Sequence, residues 1–320
     1  MPKAPPIEQQ LLELSGLRAD ATAPHAREKL AHAINGKNNL LAARAATVVT
    51  DTKQADYLPL LATAFDRFFA SASDKGCAAK TAIANALYTL GHVDAQTFLR
   101  GVRHVQMEPT FGGHADAAAE LRGICGLGLV RCGYRDALLE LTSLLMDKEP
   151  QTRQMAVRAV VYAGHNEGAM LLRMKVLAGD ESGEVIAEAF DGLMKLTPAK
   201  SLDFVARFLD DRNPATAESA AVAIGGSRTP VAYERLRQQW EHQIRPEPRR
   251  PLLLAIAMTR QPQAVEFLLE RVREDSAKPA SDAVAALGMY KHDDAVRTKL
   301  AAAVKERDDL LINEAFAKAF

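Results

Sequence analysis

The chain has 320 residues with 40 basic and 40 acidic side chains, so its formal net charge is zero and no global field draws it to nucleic acid or an anionic membrane. Apolar residues make up 48 % and aromatics only 6 %, with alanine leading the apolar set, which is the composition of a helical protein. Three cysteines without paired spacing (Cys77, Cys125 and Cys132) argue against a disulfide framework, and no window approaches eighteen uncharged apolar residues; a soluble, cytoplasmic protein is expected.

In chain order, residues 1–6 read as a proline-rich, disordered tail and residues 7–17 as a short amphipathic helix, so that 1–23 form a tail and capping helix. From residue 24 a pattern repeats. Residues 146–178 show it most clearly. A turn at 147–150 leads into an apolar-periodic helix over about 151–163, Gly164 and His165 stop it, and a second helix follows over about 167–178.

The recurring landmark is a polar residue in the turn between paired helices, followed six positions later by a residue inside the second helix of the pair. The pairs are Asn38 with Arg44, Asp74 with Lys80, Asp116 with Arg122, Asp147 with Arg153, Asp180 with Ile186, Asp211 with Ala217, Gln243 with Arg249, Asp275 with Ser281 and Asp308 with Glu314. Successive landmarks lie 36, 42, 31, 33, 31, 32, 32 and 33 residues apart, which gives nine units. Nine and twelve positions past the landmark stand small or aliphatic residues, such as Ala156 with Ala159, Ala189 with Gly192, and Ala220 with Ala223. Those offsets share one helical face, where small residues let neighbouring helices approach closely.

Paired helices at a period in the low thirties, with a turn Asp, a basic residue six later and a column of small residues, resemble HEAT repeats from residue 24 to residue 320. The resemblance implies an all-α, right-handed α-solenoid of about nine helix pairs, forming a single continuous array over 24–320, with first helices convex and second helices concave. It also implies that the turn Asp and the second-helix Arg or Lys form a ladder from unit to unit. Carried over, the ladder includes Asp74 with Lys80, Asp116 with Arg122 and Asp147 with Arg153. Arg44 and Arg249 supply only the basic half, and the pattern is broken at Ile186, Ala217, Ser281 and Glu314. The same cations could instead line up as a basic ridge for an acidic peptide or a nucleic-acid backbone.

Two irregularities interrupt the period. Residues 105–115 stretch one spacing to 42 and carry Glu108, Phe111, His114 and the pair Gly112 and Gly113. They read either as a binding loop or as a tolerated insertion whose Phe111 tucks onto a helix. At the C-terminus, Phe316 and Phe320 lie four apart on one stripe; they are expected to pack back on Leu310 and Leu311 or to form a homodimer contact.

No H-E-x-x-H, C-x-x-C, G-x-S-x-G or phosphate-cradling glycine loop occurs, and no His-Glu dipeptide of the kind that holds metals in some HEAT-repeat enzymes. No metal, no cofactor and no catalytic residue is therefore expected. The sequence reading is a non-catalytic scaffold or adaptor that grips an unidentified protein or peptide, with Glu108, Phe111, His114 and the outward-column Arg158 as candidate contacts. The alternative is a nucleic-acid-binding or base-processing protein using the basic ridge, which the scattered charges and a single tryptophan, Trp240, disfavour.

Overall fold

Alanine-rich segments bounded by caps and prolines fold as helices throughout the computed structural model, which describes residues 5–243 and 249–320. After α1 (Ile7–Gly16) the described helices fall into nine antiparallel pairs. The first four are α2 (Pro24–Asn35) with α3 (Asn39–Asp51), α4 (Leu58–Phe69) with α5 (Ala78–Leu90), α6 (Ala95–Val102) with α7 (Ala119–Arg131), and α8 (Ala137–Leu145) with α9 (Pro150–Ala163). Between α6 and α7 lie β1 (Met107–Thr110) and β2 (Gly113–Asp116). The last five are α10 (Asn166–Ala178) with α11 (Gly183–Leu196), α12 (Pro198–Ala206) with α13 (Pro214–Gly226), α14 (Pro230–His242) with α15 (Arg249–Met258), α16 (Pro262–Glu274) with α17 (Ala277–Leu287), and α18 (Asp294–Arg307) with α19 (Leu310–Ala319). The all-α class built from nine HEAT-like helix pairs is thus what the structure has. Most of the expected tail, residues 1–4, lies outside the described residues; Pro5 lies against α1, where its carbonyl accepts the Gln10 side-chain amide.

Local chemistry fixes the ends. The Asn38 carboxamide oxygen accepts the N–H groups of Leu40 and Leu41, and Asp94, Asn213, Thr229, Asp293 and Asp309 cap α6, α13, α14, α18 and α19 in the same manner. Gly91 and Gly164 close α5 and α9 at φ of +85° and +69°.

The chain divides into two compact units, Met1–Gly164 and His165–Phe320. In the first, the second helices α3, α5, α7 and α9 stack one upon the next, and each also packs on its own first helix. α7 is enclosed on nearly every side. Its Gly123, Gly126 and Gly128 sit where an added Cβ would fall 2.4 Å from the Met155 sulfur, 2.9 Å from a Leu144 methyl and 2.4 Å from the Phe98 ring. A helix so surrounded has no polar face to display, which explains its lack of amphipathic pattern. In the second unit, α11, α13, α15, α17 and α19 form the corresponding stack. A small residue again sets the spacing: Gly225 lies so close to α15 that a Cβ would stand 2.3 Å from the Ala255 carbonyl oxygen.

Arginines in the last turn of one first helix cap the end of the preceding one. Arg67 donates to the carbonyls of Ile34 and Gly36, and Arg307 to those of Val272 and Arg273. These links satisfy C-terminal carbonyls that the helix itself leaves unpaired.

At the C-terminus the Phe316 and Phe320 rings stack on each other, 5.3 Å apart and 16° from parallel, while Leu310 and Leu311 are 75 % and 40 % exposed.

Candidate functional site

The long interval between Asp74 and Asp116 is occupied by a hairpin whose base is bound to the turn before α5. That turn holds two consecutive left-handed residues, Gly76 at φ +66° and Cys77 at φ +54°. The second costs a residue with a side chain roughly 1–2 kcal/mol. The reversal swings the buried Asp74 carboxylate over the start of α5, where it accepts the N–H groups of Ala79 at 2.9 Å and Lys80 at 3.0 Å. Asn39 of the preceding pair donates to the same carboxylate at 3.2 Å. The Lys80 ammonium lies 3.9 Å from it and donates to the Gln106 side-chain oxygen.

Gln106 is the hub. Its side-chain amide donates to the Asp74 carbonyl at 2.7 Å and to Glu108 at 2.6 Å, and Gly76 N–H donates to the same Glu108 oxygen at 2.7 Å. These two donors, Gln106 first, hold the Glu108 carboxyl below the ordinary glutamate range. Glu108 therefore faces inward as an anchor.

β1 and β2 pair antiparallel, with Met107 opposite Asp116, Glu108 opposite Ala115, Pro109 opposite His114 and Thr110 opposite Gly113. Ala117 N–H donates to the Gln106 carbonyl, which fixes the phase. Glu108 and Thr110 bond across the ladder, while the backbone groups of Met107 and Pro109 point away from it. Cross-strand partners share a face, so Met107, Pro109 and His114 lie together, opposite Glu108. The two-residue turn is Phe111 and Gly112, with Gly112 at φ +94°. Phe111 is 111 % exposed: its ring touches no helix.

A groove of about 680 Å³ runs between residues 69–75 and β1, with Phe69, Lys80, His104, Met107 and Pro109 among its walls. The Phe69 and His104 rings lie 4.8 Å apart. Burial lowers the His104 pKa, helped by the nearby charges of Lys80 and Arg122 and opposed by the Gln106 hydrogen bond and Asp116. Burial likewise pushes the Cys77 thiol up to about 11, so it stays protonated and unreactive at neutral pH.

Of the remaining predicted residues, Arg122 sits between two carboxylates. It donates to Asp116 at 2.6 Å, bidentately to Asp147 of the next pair at 2.7 and 2.8 Å, and to the His104 carbonyl at 2.9 Å. Burial favours a raised carboxyl at Asp116, but hydrogen bonds from the N–H groups of Gln106 and Ala118 and from Arg122 outweigh it and leave the pKa lowered. Arg153 donates to the carbonyls of Asp147 and Lys148. Arg249 donates to the Gln243 carbonyl and lies over the Trp240 ring. Arg158 is exposed on α9, a different element from the hairpin.

Two corrections follow. Lys80, Arg122 and Arg153 are 3, 4 and 5 % exposed, so they form no surface ridge; their charges are spent on turn carboxylates, a neutral amide and backbone carbonyls. Arg44 is exposed, and Asn39, not Arg44, makes the link to Asp74. The six-residue rule also names no cation for Asp180 or Asp275. Lys175 stands 2.7 Å from Asp180 and Arg271 stands 3.1 Å from Asp275, each from the last turn of the preceding first helix. Among the described residues no His, Cys, Asp and Glu group could hold a metal ion. No described helix is long and apolar enough to cross a membrane.

No family model matches the chain, and no curated protein matches it. Solved structures do. Human deoxyhypusine hydroxylase, in complex with glycerol, is 17 % identical, with 80 % of this chain and 91 % of that one covered at a TM-score of 0.33. The CpcE–CpcF complex of phycocyanin lyase from Nostoc sp. is 14 % identical, with 90 % and 94 % covered at 0.37. An engineered protein is 12 % identical, with 99 % and 96 % covered at 0.38. The likeness is one of fold. The expectation that the chain is non-catalytic is withdrawn: a hydroxylase and a lyase are among the structures that align with it, and a helix-pair fold is no ground for excluding a reaction. The nine helix pairs give the coarse assignment, a HEAT-like, all-helical repeat fold.

Proposed function

We propose that this chain binds a protein partner through the hairpin of residues 107–116, with the adjoining groove as part of the contact surface. One observation carries the reading: Phe111 stands fully exposed at the tip of a hairpin whose base is held by the hydrogen bonds of Gln106, Glu108, Asp74 and Asp116. An insertion under no functional demand is ordinarily mobile and polar at its tip. Here a large apolar ring is displayed in water on a fixed support, and exposed aromatic side chains on rigid elements are what interface anchors are made of. The chain's neutral net charge and mixed surface favour a protein over a polyanion, and three free thiols fit a reducing, cytoplasmic setting.

Affinity purification from source-organism lysate, run with the intact chain beside a variant lacking residues 110–113, tests the reading. Specific proteins recovered by the intact chain should be lost with the deletion while the melting temperature stays within a few degrees. Equal recovery by both chains would remove the hairpin from the binding surface.

A further inference from the structure

The two edges of the hairpin differ. The outward backbone groups of β1 belong to Met107 and Pro109, and proline has no N–H to give. That edge also borders the groove and the turn at Gly76, to which Glu108 fastens it. The outward groups of β2 belong to His114 and Asp116, whose N–H and C=O groups have no backbone partner among the described residues. Gly113, His114 and Ala115 are exposed, and a Cβ added at Gly112 or Gly113 would meet nothing within 4 Å, so this edge stands clear of the chain. It carries none of the lysines, prolines or bulges that ordinarily blunt an edge strand. An edge left open in this way is a template for strand addition.

The strand that completes it is a second β2. In an antiparallel ladder, residues whose backbone groups face the partner bond to one another pair by pair, so His114 and Asp116 must meet outward residues of the incoming strand. A two-fold axis supplies them, with His114 opposite the second copy's Asp116, Asp116 opposite its His114, and Ala115 opposite Ala115 on the axis. Every outward group of both strands is then bonded, and each imidazole stands across from a carboxylate. Sliding one strand by two residues sets His114 against His114 or Asp116 against Asp116 and forfeits half of those bonds. The small Ala115 side chain leaves room on the axis, and a net charge of zero puts no long-range repulsion between copies.

We propose that β2 pairs with β2 of a second copy of this chain about a two-fold axis through Ala115, joining the two hairpins into one antiparallel sheet. The proposal rests on the partner-binding reading above and names the partner. In this register each tip runs past the second copy's Asp116, which brings the exposed Phe111 ring to the turn that opens the other chain's α7.

Sedimentation equilibrium of the full, purified chain tests it, taken up to about 1 mM because a contact this small binds weakly. The mean mass should rise from monomer toward dimer with concentration. His114→Pro, which removes an outward N–H that the hairpin itself does not use, should hold the mass at that of the monomer. Ala115→Lys and Ala115→Glu should each weaken association about fivefold by setting like charges face to face on the axis, and mixing the two variants should restore it. Position 115 is exposed, so both charge variants should melt with the intact chain.

A monomer at every concentration would overturn self-pairing, and so would a dimer that His114→Pro and the charge variants leave unchanged. Recovery from lysate then separates this failure from that of the parent reading. A different protein lost with the 110–113 deletion would keep the hairpin as a binding element with another partner. Mass and recovery both untouched by the deletion would overturn both.

Discussion

Arg122 has 5 % of its side chain exposed, and the carboxylates of Asp116 and Asp147 that flank it have 7 % and 12 %. Removing the cation leaves two buried anions facing each other. Arg122→Ala should therefore cost about 3–5 kcal/mol, the penalty for breaking a buried ionic network from one side. Arg44→Ala, at an exposed residue without an ion pair among the described residues, should change stability by no more than about 0.5 kcal/mol. Urea midpoints for the two variants measure the contrast; equal midpoints would mean that the Arg122 network adds nothing to the fold. His104 gives a pH dependence of definite sign. Its folded pKa lies below the ordinary histidine value, so charging it is harder in the folded state. The stability tied to its neutral form is complete above about pH 6.5 and is lost as the pH falls below that value toward the folded pKa. Thermal midpoints should fall between pH 7 and pH 5, and His104→Gln should flatten part of that fall. At this scale the sequence speaks unevenly. A spacing of six names Asp116 and Arg122, whose side chains meet at 2.6 Å. It cannot name Lys175 or Arg271, which reach their aspartates from five and four positions upstream on a different helix. A turn carboxylate needs a cation, but the fold does not dictate from which flank it comes.

Gly225 and Gly226 are neighbours in the last turn of α13, and the array treats them oppositely. A Cβ at Gly225 would lie 2.3 Å from the Ala255 carbonyl oxygen, a backbone atom of α15 that cannot yield unless the helix moves. At Gly226 the nearest atom is the Met258 terminal methyl at 4.0 Å. Gly225→Ala should destabilise by about 1–3 kcal/mol through overpacking. Gly226→Ala should be neutral or stabilising by up to about 1 kcal/mol, the gain of replacing glycine in a helix. Chemical denaturation of both variants decides the matter, and a Gly225→Ala chain as stable as the original would show that α13 and α15 slide apart freely. Elements were legible in proportion to their periodicity. Helices with a 3.6-residue apolar stripe and a capping residue could be placed from the sequence within a few positions. The hairpin could not: Met-Glu-Pro-Thr and Gly-His-Ala-Asp show neither strict alternation nor β-branched enrichment, and the strands exist because Gln106, Glu108 and Asp116 fasten them at the base. The only local signal was Phe111 followed by two glycines, which marks a turn and says nothing of strands.

Nine landmarks at intervals of 31 to 42 residues led directly to nine helix pairs, because a repeating unit that cannot bury its own face must stack on its neighbours. The division after Gly164 left no mark on that period: the interval that contains it, from Asp147 to Asp180, is an ordinary 33. Compactness depends on how contacts are distributed among units, and a landmark count does not carry that information. It has an energetic consequence. Where each pair touches only the pairs beside it, stability is a sum of local terms, and damage should decay with distance along the chain. The Gly225→Ala substitution loads the contact between α13 and α15, which also pack on α11 and α17. Native-state hydrogen exchange should quicken most in α13 and α15, less in α11 and α17, and not at all in α3 and α5 of the other unit. Exchange that quickens equally in every helix would show instead that the chain unfolds as one block, and the local account of its stability would then have to be abandoned.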